Sequence, residues 1–245
     1  MDLLRSIFIW FEGITFLVVF FLVNFLIWLV VLPFDKKRMV IHTLIGWQSM
    51  LLVRIIPGLK VTIHGKENAL KNVTYVIISN HLSLIDILAI NTLGLRFKWV
   101  SKIENSSVPV LGWYLRMADY LTVDRLDDDS KSGMLARALE FLREGTSVMI
   151  FPEGTRSADN NPGFFKRGAF QLAISAAVPI LPLVIEGTAD ILPKHGRIIR
   201  GSHRVRLKVL EPRRPEGFGT ADPLELGLKF RSLITSELEQ MRKEN

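Results

Sequence analysis

The chain contains no cysteine among its 245 residues. This absence excludes disulfide bonds, a cysteine nucleophile and metal sites built from thiolates. The sequence also lacks the His-Glu-x-x-His pattern of zinc peptidases, the Walker loop of nucleotide hydrolases and the Gly-x-Ser-x-Gly turn of lipases. A covalent enzyme intermediate would therefore have to use some other residue, and we expect neither a metal nor a cofactor.

The charge of the chain is unbalanced toward the basic side. Its formal net charge is +7, which favours negatively charged partners such as nucleic acid, lipid headgroups or phosphorylated substrates. The sequence has neither the Cys/His spacing of a zinc finger nor an aromatic-rich strand typical of RNA-binding domains, so we do not expect it to bind nucleic acid. A lipid partner is favoured because Lys36, Lys37 and Arg38 directly follow a long apolar segment.

That apolar segment covers residues 7–32 and carries no charge from residue 13 onward. About 20 apolar helical residues, at about 1.5 Å each, match a hydrocarbon core of about 30 Å. The segment is too long for the apolar region of a signal peptide, which has about 7–15 residues. The alternative is a buried core helix.

A second apolar stretch, residues 39–56, carries His42, Gln48 and Arg54 and predicts an amphipathic helix at the membrane interface. We therefore expect residues 1–56 to form a membrane-anchoring helical pair that either crosses the bilayer or dips into one leaflet. By the positive-inside rule, the basic residues 36–38 should place the rest of the chain on the cytoplasmic side of the inner cell membrane.

Residues 57–245, which begin with Pro57 and Gly58, alternate short β-rich runs with helical patterns. This alternation predicts one α/β domain with a mostly parallel central sheet flanked by helices, and active sites in such sheets lie at the carboxyl ends of strands. The predicted strands are residues 73–79, 97–100, 120–123, 147–151, 180–185 and 205–210. The predicted helices are residues 83–93, 108–117, 130–143, 167–176 and 224–241.

The first cluster of chemically capable residues is 80–86, Asn-His-Leu-Ser-Leu-Ile-Asp, directly after a predicted strand. Ser83 and Asp86 fit a capping box with Ser83 as the N-cap. With His81 in the turn before the helix, Asp86 could accept a hydrogen bond from Nδ1 and leave Nε2 free as a base. Taken alone, the pattern is equally compatible with a helix cap and no catalysis.

The second cluster is residues 151–157, Phe-Pro-Glu-Gly-Thr-Arg-Ser, again after a predicted strand. Pro-Glu-Gly predicts a tight turn, and Gly154 lets the backbone approach a ligand closely. Arg156 offers a planar guanidinium suited to two phosphate oxygens. The alternative is a polar surface turn.

Together these motifs resemble the signature of the glycerolipid acyltransferase superfamily. Residues 80–86 are similar to its first motif and residues 151–157 to its third, while 121–125 and 178–183 resemble the second and fourth. Proline before glutamate in the third motif is similar to the 1-acylglycerol-3-phosphate acyltransferase branch. The sequence departs from the family at Asp119, where a glycine is expected before the second motif.

The resemblance implies transfer of a fatty acyl group from acyl-CoA or acyl-carrier protein to the sn-2 hydroxyl of lysophosphatidic acid, giving phosphatidic acid. His81 is then expected to act as general base, oriented by Asp86, without a covalent intermediate. The expected substrate-binding residues are Lys102, Arg125, Glu153, Gly154, Thr155, Arg156 and Lys166.

Three other functions remain compatible with the residues. The acceptor could be glycerol 3-phosphate or a lyso-ornithine lipid instead of lysophosphatidic acid. A lipid hydrolase is disfavoured by the missing serine turn. A non-enzymatic membrane-shaping or lipid-binding protein would leave a His–Asp pair at a strand end without a purpose.

Overall fold

The computed structural model describes residues 2–56, 58–200 and 203–244. Pro57, at which the expected boundary between anchor and catalytic domain falls, lies outside the described residues. The helices are α1 (Asp2–Val31), α2 (Met39–Ile55), α3 (Ile85–Asn91), α4 (Leu111–Met117), α5 (Asp128–Arg143), α6 (Gly168–Ala176), α7 (Thr188–Ile191) and α8 (Pro223–Lys243). Short 3₁₀ helices cover Lys66–Asn68, Ile103–Ser107 and Pro215–Phe218.

Within these residues a single sheet organises the second part of the chain. Its strands are β1 (Leu59–His64), β2 (Val76–Ser79), β3 (Phe97–Lys102), β4 (Leu121–Val123), β5 (Ser147–Ile150), β6 (Ile180–Glu186) and β7 (His203–Val209), in the spatial order β1-β7-β6-β2-β5-β3-β4. Every neighbouring pair is parallel except β6 and β7. The carboxyl ends of β6, β2, β5, β3 and β4 therefore share one edge. The predicted mostly parallel sheet is confirmed.

Strand β1 was not among the predicted strands. Lys60, Thr62 and His64 are exposed and alternate with apolar residues along it, which is the pattern of a strand buried on one face. Its partner β7 lies far along the chain, so no local sequence pattern predicts the pairing of the two strands.

Helices cover both faces of the sheet, as predicted. Alternation along β2 sends Ile77 into a core with Phe97 and Ile90, while Val76 and Ile78 enter a second core with residues of α5, α6 and α8. This period of two is what a strand buried on both faces requires.

Helix α1 is the most exposed apolar element of the described chain. Leu3–Val31 is long and apolar enough to cross a membrane, and only 6% of its most apolar window is buried. That exposure argues against the alternative of a buried core helix. The buried part of α1 includes Asn24, which exchanges two hydrogen bonds with Gln48 of α2 (2.9 and 3.0 Å) and donates another to Tyr114 of α4 (3.1 Å).

Candidate active site

The two predicted chemical clusters lie side by side because β2 and β5 are adjacent parallel strands. His81 follows β2 and Phe151 follows β5, and their rings stack with centroids 3.8 Å apart and an interplanar angle of 9°. The Ser157 N–H also donates to the His81 carbonyl at 2.7 Å. The turns after the two strands are thus joined directly.

His81 and Asp86 are in direct contact. The distance from His81 Nδ1 to Asp86 Oδ2 is 2.8 Å, with the carboxylate fully buried and the imidazole 14% exposed. Oδ2 also accepts the Leu82 and Ser83 N–H groups at 2.7 and 2.8 Å. The arrangement suits an ionised carboxylate, so Nδ1 carries the imidazole proton and Nε2 has a lone pair available for a base.

The predicted capping box at Ser83 is formed in part. Helix α3 begins at Ile85, so Leu84 and not Ser83 is its N-cap, but Asp86 still accepts the Ser83 N–H. The Ser83 hydroxyl donates to the Leu192 carbonyl at 2.7 Å and accepts the Ile85 N–H at 3.3 Å. The Leu82 and Ser83 N–H groups bond to Asp86 Oδ2, and the helix therefore begins two residues later than predicted.

Glu153 uses both of its carboxylate oxygens on the protein's own backbone. Oε1 accepts the His81 N–H and Oε2 accepts the Gly163 N–H, each at 2.8 Å. The side chain is buried, and this burial raises the pKa of Glu153 above its ordinary value. The carboxylate that the sequence assigns to substrate binding therefore holds the turn that carries His81 and the loop before Phe164 together.

Gly154 and Thr155 follow in the same turn, with Thr155 exposed and Gly154 at a positive φ of 71°. A Cβ atom on Gly154 would lie 3.2 Å from Lys166 Nζ. The glycine therefore leaves room for an ammonium group directly over the turn that carries Arg156.

The predicted cations lie along the same edge of the sheet but differ in their partners. Arg156 is partly exposed and forms no ion pair within the described residues. Lys102, at the end of β3, contacts Glu104 at 2.5 Å. Burial lowers the pKa of Arg125 below its ordinary value, and the charge of Glu104 opposes that effect.

Glu104 is a residue that the sequence analysis missed, and it partly neutralises two of the four predicted cations. Its position two residues after Lys102 was the available signal. Of these four cations, Arg156 and Lys166 form no ion pair within the described residues.

Asn80 and Thr188 were also missed. The buried Asn80 side chain exchanges two hydrogen bonds with the backbone of Ile185, at 2.8 and 2.9 Å, and so fastens the end of β2 to β6. Thr188 follows Gly187 at the end of β6 and contacts Asp86. Glycine directly after a strand on the shared edge was the signal for this third turn.

The described residues form a polar cavity beside the turn after β2 and an apolar groove between α1 and α2. A polar cavity of about 340 Å³ adjoins Leu82 and is bounded by Asp159, Glu186 and Arg242. An apolar groove of about 210 Å³ lies between α1 and α2 and is lined by Phe8, Ile9, Glu12, Gly13, Leu52, Ile55 and Ile56. Among the described residues, no group of three or more His, Asp or Glu side chains could hold a metal ion.

The departure from the family pattern lies just before the second motif. Asp119 takes a positive φ of 51°, the conformation for which glycine is favoured, and Arg137 lies 3.2 Å from its carboxylate. Asp119 therefore adopts the turn in place of the expected glycine.

Comparison with known proteins gives a consistent result. The acyltransferase family profile matches residues 60–186. A chloroplastic 1-acyl-sn-glycerol-3-phosphate acyltransferase from Arabidopsis thaliana is 37% identical over 185 residues, which are 74% of this chain and 51% of that protein. A 1-acyl-sn-glycerol-3-phosphate acyltransferase from Saccharomyces cerevisiae is 30% identical over 218 residues, covering 82% of this chain and 71% of that protein.

The chain thus spans about half the length of the plant relatives that it matches. The crystal structure of the 1-acyl-sn-glycerophosphate acyltransferase PlsC from Thermotoga maritima aligns with a TM-score of 0.84 and 26% identity, over 98% of this chain and 96% of that one. With the family profile matched across both motif turns and the fold shared over nearly its whole length, the chain belongs to the acyltransferase family within the glycerolipid acyltransferase superfamily.

Proposed function

We propose that the chain transfers a fatty acyl group from an acyl thioester to the sn-2 hydroxyl of lysophosphatidic acid, forming phosphatidic acid and a free thiol. The observation that carries this proposal is the His81–Asp86 pair, stacked against Phe151 in the turn beside Arg156. The named acyl acceptors of the plant and yeast relatives support the choice of substrate.

In the proposed reaction, Nε2 of His81 takes the proton of the glycerol hydroxyl while its oxygen attacks the thioester carbonyl. The new C–O bond forms as the C–S bond breaks, and the proton passes from His81 to the departing thiolate. Asp86 holds the Nδ1 proton and stabilises the imidazolium that forms between these two transfers.

The phosphate of the acceptor is proposed to bind at Arg156 and Lys166, with Lys102 and Arg125 as more distant cations. Arg156 is unpaired within the described residues, and Lys166 Nζ lies over Gly154 in the same turn. Glu153 supports this binding site from beneath by fixing the turn, and Thr155 contributes an exposed hydroxyl. The proposed donor is either acyl-CoA or acyl-carrier protein.

Residues 1–56 are proposed as the membrane anchor and residues 57–245 as the catalytic domain. The exposed apolar surface of α1 supports the anchor, which would keep both amphiphilic substrates beside the bilayer. Burying each CH₂ of an acyl chain is worth about 0.8 kcal/mol, so moving a long chain through water would be costly. The domain is proposed to lie on the cytoplasmic side of the inner cell membrane.

The test is thiol release from a long-chain acyl-CoA in detergent, with and without lysophosphatidic acid. We expect release that requires the acceptor, and loss of nearly all of it in His81→Ala. His64→Ala, an exposed histidine on β1, is the matched control and should behave as the wild type.

Release without the acceptor would identify a thioesterase and contradict the proposal. If acyl-CoA gives no release, the same assay with acyl-carrier protein decides whether the donor alone was misassigned. Failure with both donors would refute the transfer reaction.

A further inference from the structure

Thr188 is the first residue of α7 and is fully buried behind the His81–Asp86 pair. Its hydroxyl donates to Asp86 Oδ1 at 2.5 Å, the carboxylate oxygen that faces away from His81. We propose that Thr188 is a positioning residue of the acyltransferase, which orients Asp86 and sets how readily His81 gives up its proton. This inference rests on the proposed function for its kinetic consequence only.

The two oxygens of Asp86 are divided between different tasks. Oδ2 accepts from His81 Nδ1 and from the backbone of Leu82 and Ser83, whereas Oδ1 accepts from Thr188. The three donors on Oδ2 lie within five residues of Asp86, but Thr188 is 102 residues away. Thr188 is therefore the contact that fixes the carboxylate relative to the sheet.

The position of Thr188 is itself tightly constrained. Gly187 has a positive φ of 85°, and a Cβ atom there would lie 2.2 Å from the Arg204 carbonyl oxygen of β7. At the other end of α7, Leu192 accepts the hydrogen bond from the Ser83 hydroxyl. The short helix is thus held at both ends against the turn that carries His81.

Removing the hydroxyl would leave a buried carboxylate oxygen without its donor, which is costly for an ionised group. Negative charge would then concentrate on Oδ2 and hold the imidazolium proton more strongly. This response raises the pH at which His81 becomes neutral beside an ionised Asp86. The hydroxyl therefore tunes the pair as well as holding it in place.

The experiment compares Thr188→Val, which keeps the shape but loses the hydroxyl, with Thr188→Ser, which keeps the hydroxyl. Since a hydrogen bond to a charged group contributes about 1.5–3 kcal/mol, we expect kcat of Thr188→Val to fall about 10- to 100-fold. The KM for lysophosphatidic acid should stay within about twofold, and the acid limb of the pH–rate profile should move to higher pH. Thr188→Ser should retain most of the wild-type kcat.

A merely structural role is distinguished by a double-mutant cycle. In an Asp86→Asn background, Thr188→Val should cause little further loss of kcat, because the carboxylate on which Thr188 acts is gone. An equal loss in both backgrounds, wild-type kcat in Thr188→Val, or a Thr188→Ser variant as poor as Thr188→Val would overturn the proposal.

A second readout does not depend on the reaction. The chain has five histidines, and His81→Gln identifies the His81 signal in an NMR titration of the full chain in detergent. We expect His81 to titrate at higher pH in Thr188→Val than in the wild type or Thr188→Ser. An unchanged titration would refute the inference, whereas a shift in a protein without transfer activity would refute only the proposed function.

Discussion

At the scale of single residues, two buried carboxylates support the turn that carries His81 in different ways. Asp86 binds a side chain on each oxygen, His81 on one and Thr188 on the other, so it can respond to proton transfer. Glu153 binds only backbone N–H groups, those of His81 and Gly163, and joins two loops. The sequence predicted the bond between Asp86 and His81, but it could not predict Thr188 or the backbone partners of Glu153, because these are tertiary contacts.

Glu153 should make stability depend on pH in a definite direction. Its pKa is raised in the folded state by burial, so the folded chain binds a proton more readily than the unfolded chain. The contribution of Glu153 to the free energy of unfolding is fully present below the ordinary pKa of glutamate. It is lost as pH rises through the raised pKa of the folded state. We expect the Tm of the wild type, relative to that of Glu153→Gln, to fall across this window and then level off.

The measurement is thermal unfolding of both proteins in the same detergent over a series of pH values. The Glu153→Gln change would place an NH₂ group near a backbone N–H that needs an acceptor, so the variant should be less stable by about 1–3 kcal/mol. A Tm difference that stays constant, or grows with pH, would contradict the assigned direction.

The cations should differ in their effect on acceptor binding. Because Arg156 is unpaired within the described residues and Lys102 is paired with Glu104, Arg156→Ala should raise the KM for lysophosphatidic acid more than Lys102→Ala does. We expect about 10- to 100-fold for Arg156→Ala, the loss of a charge-assisted pair, and only a few-fold for Lys102→Ala.

Steady-state kinetics with varied acceptor give both values. Lys60→Ala, an exposed cation on β1, serves as the control for a general loss of positive charge. Equal KM values for Arg156→Ala and the wild type would show that the phosphate binds elsewhere.

At the scale of elements, hydrophobic periodicity predicted most strands and helices but placed several ends incorrectly. The strand predicted at 73–79 begins at Val76, because the Tyr75 N–H bonds to the Ser147 hydroxyl rather than to a strand backbone. Helix α3 starts late because Asp86 captures the amides before it. The first deviation comes from a contact between distant parts of the chain, which no local pattern contains, whereas the second comes from contacts within four residues.

Packing between the 3₁₀ helix at Ile103–Ser107 and α4 should make Gly112 intolerant of substitution. A Cβ atom on Gly112 would lie 2.1 Å from the Ser106 carbonyl oxygen, so Gly112→Ala must move one backbone segment. We expect a loss of about 1–3 kcal/mol, the usual cost of overpacking. Thermal unfolding in detergent measures it.

Gly133 is the matched control because it is exposed in α5 and a Cβ atom there meets nothing within 4 Å. Gly133→Ala should stabilise the protein by about 0.5–1 kcal/mol through lower backbone entropy in the unfolded state. A neutral Gly112→Ala would mean that the two segments are more loosely packed than the structure shows.

At the scale of the whole molecule, the lack of cysteine provides a direct test of orientation. A single cysteine introduced at the exposed Glu239 of α8 should react with a membrane-impermeant maleimide in inside-out vesicles and stay unlabelled in intact cells. This outcome follows if the catalytic domain lies on the cytoplasmic side. Labelling in intact cells would reverse the proposed topology, and a cysteine-free sample gives the background.

The contacts along α1 also impose a condition on its helical phase. Ser6 bonds to Ile199 near one end, and Asn24 bonds to Gln48 and Tyr114 further along. These two residues are 18 positions apart, about five helical turns, so both face the same side. One inserted residue between them would turn one contact away from the protein by about 100°. The length of this helix can therefore change only in steps that restore its rotation.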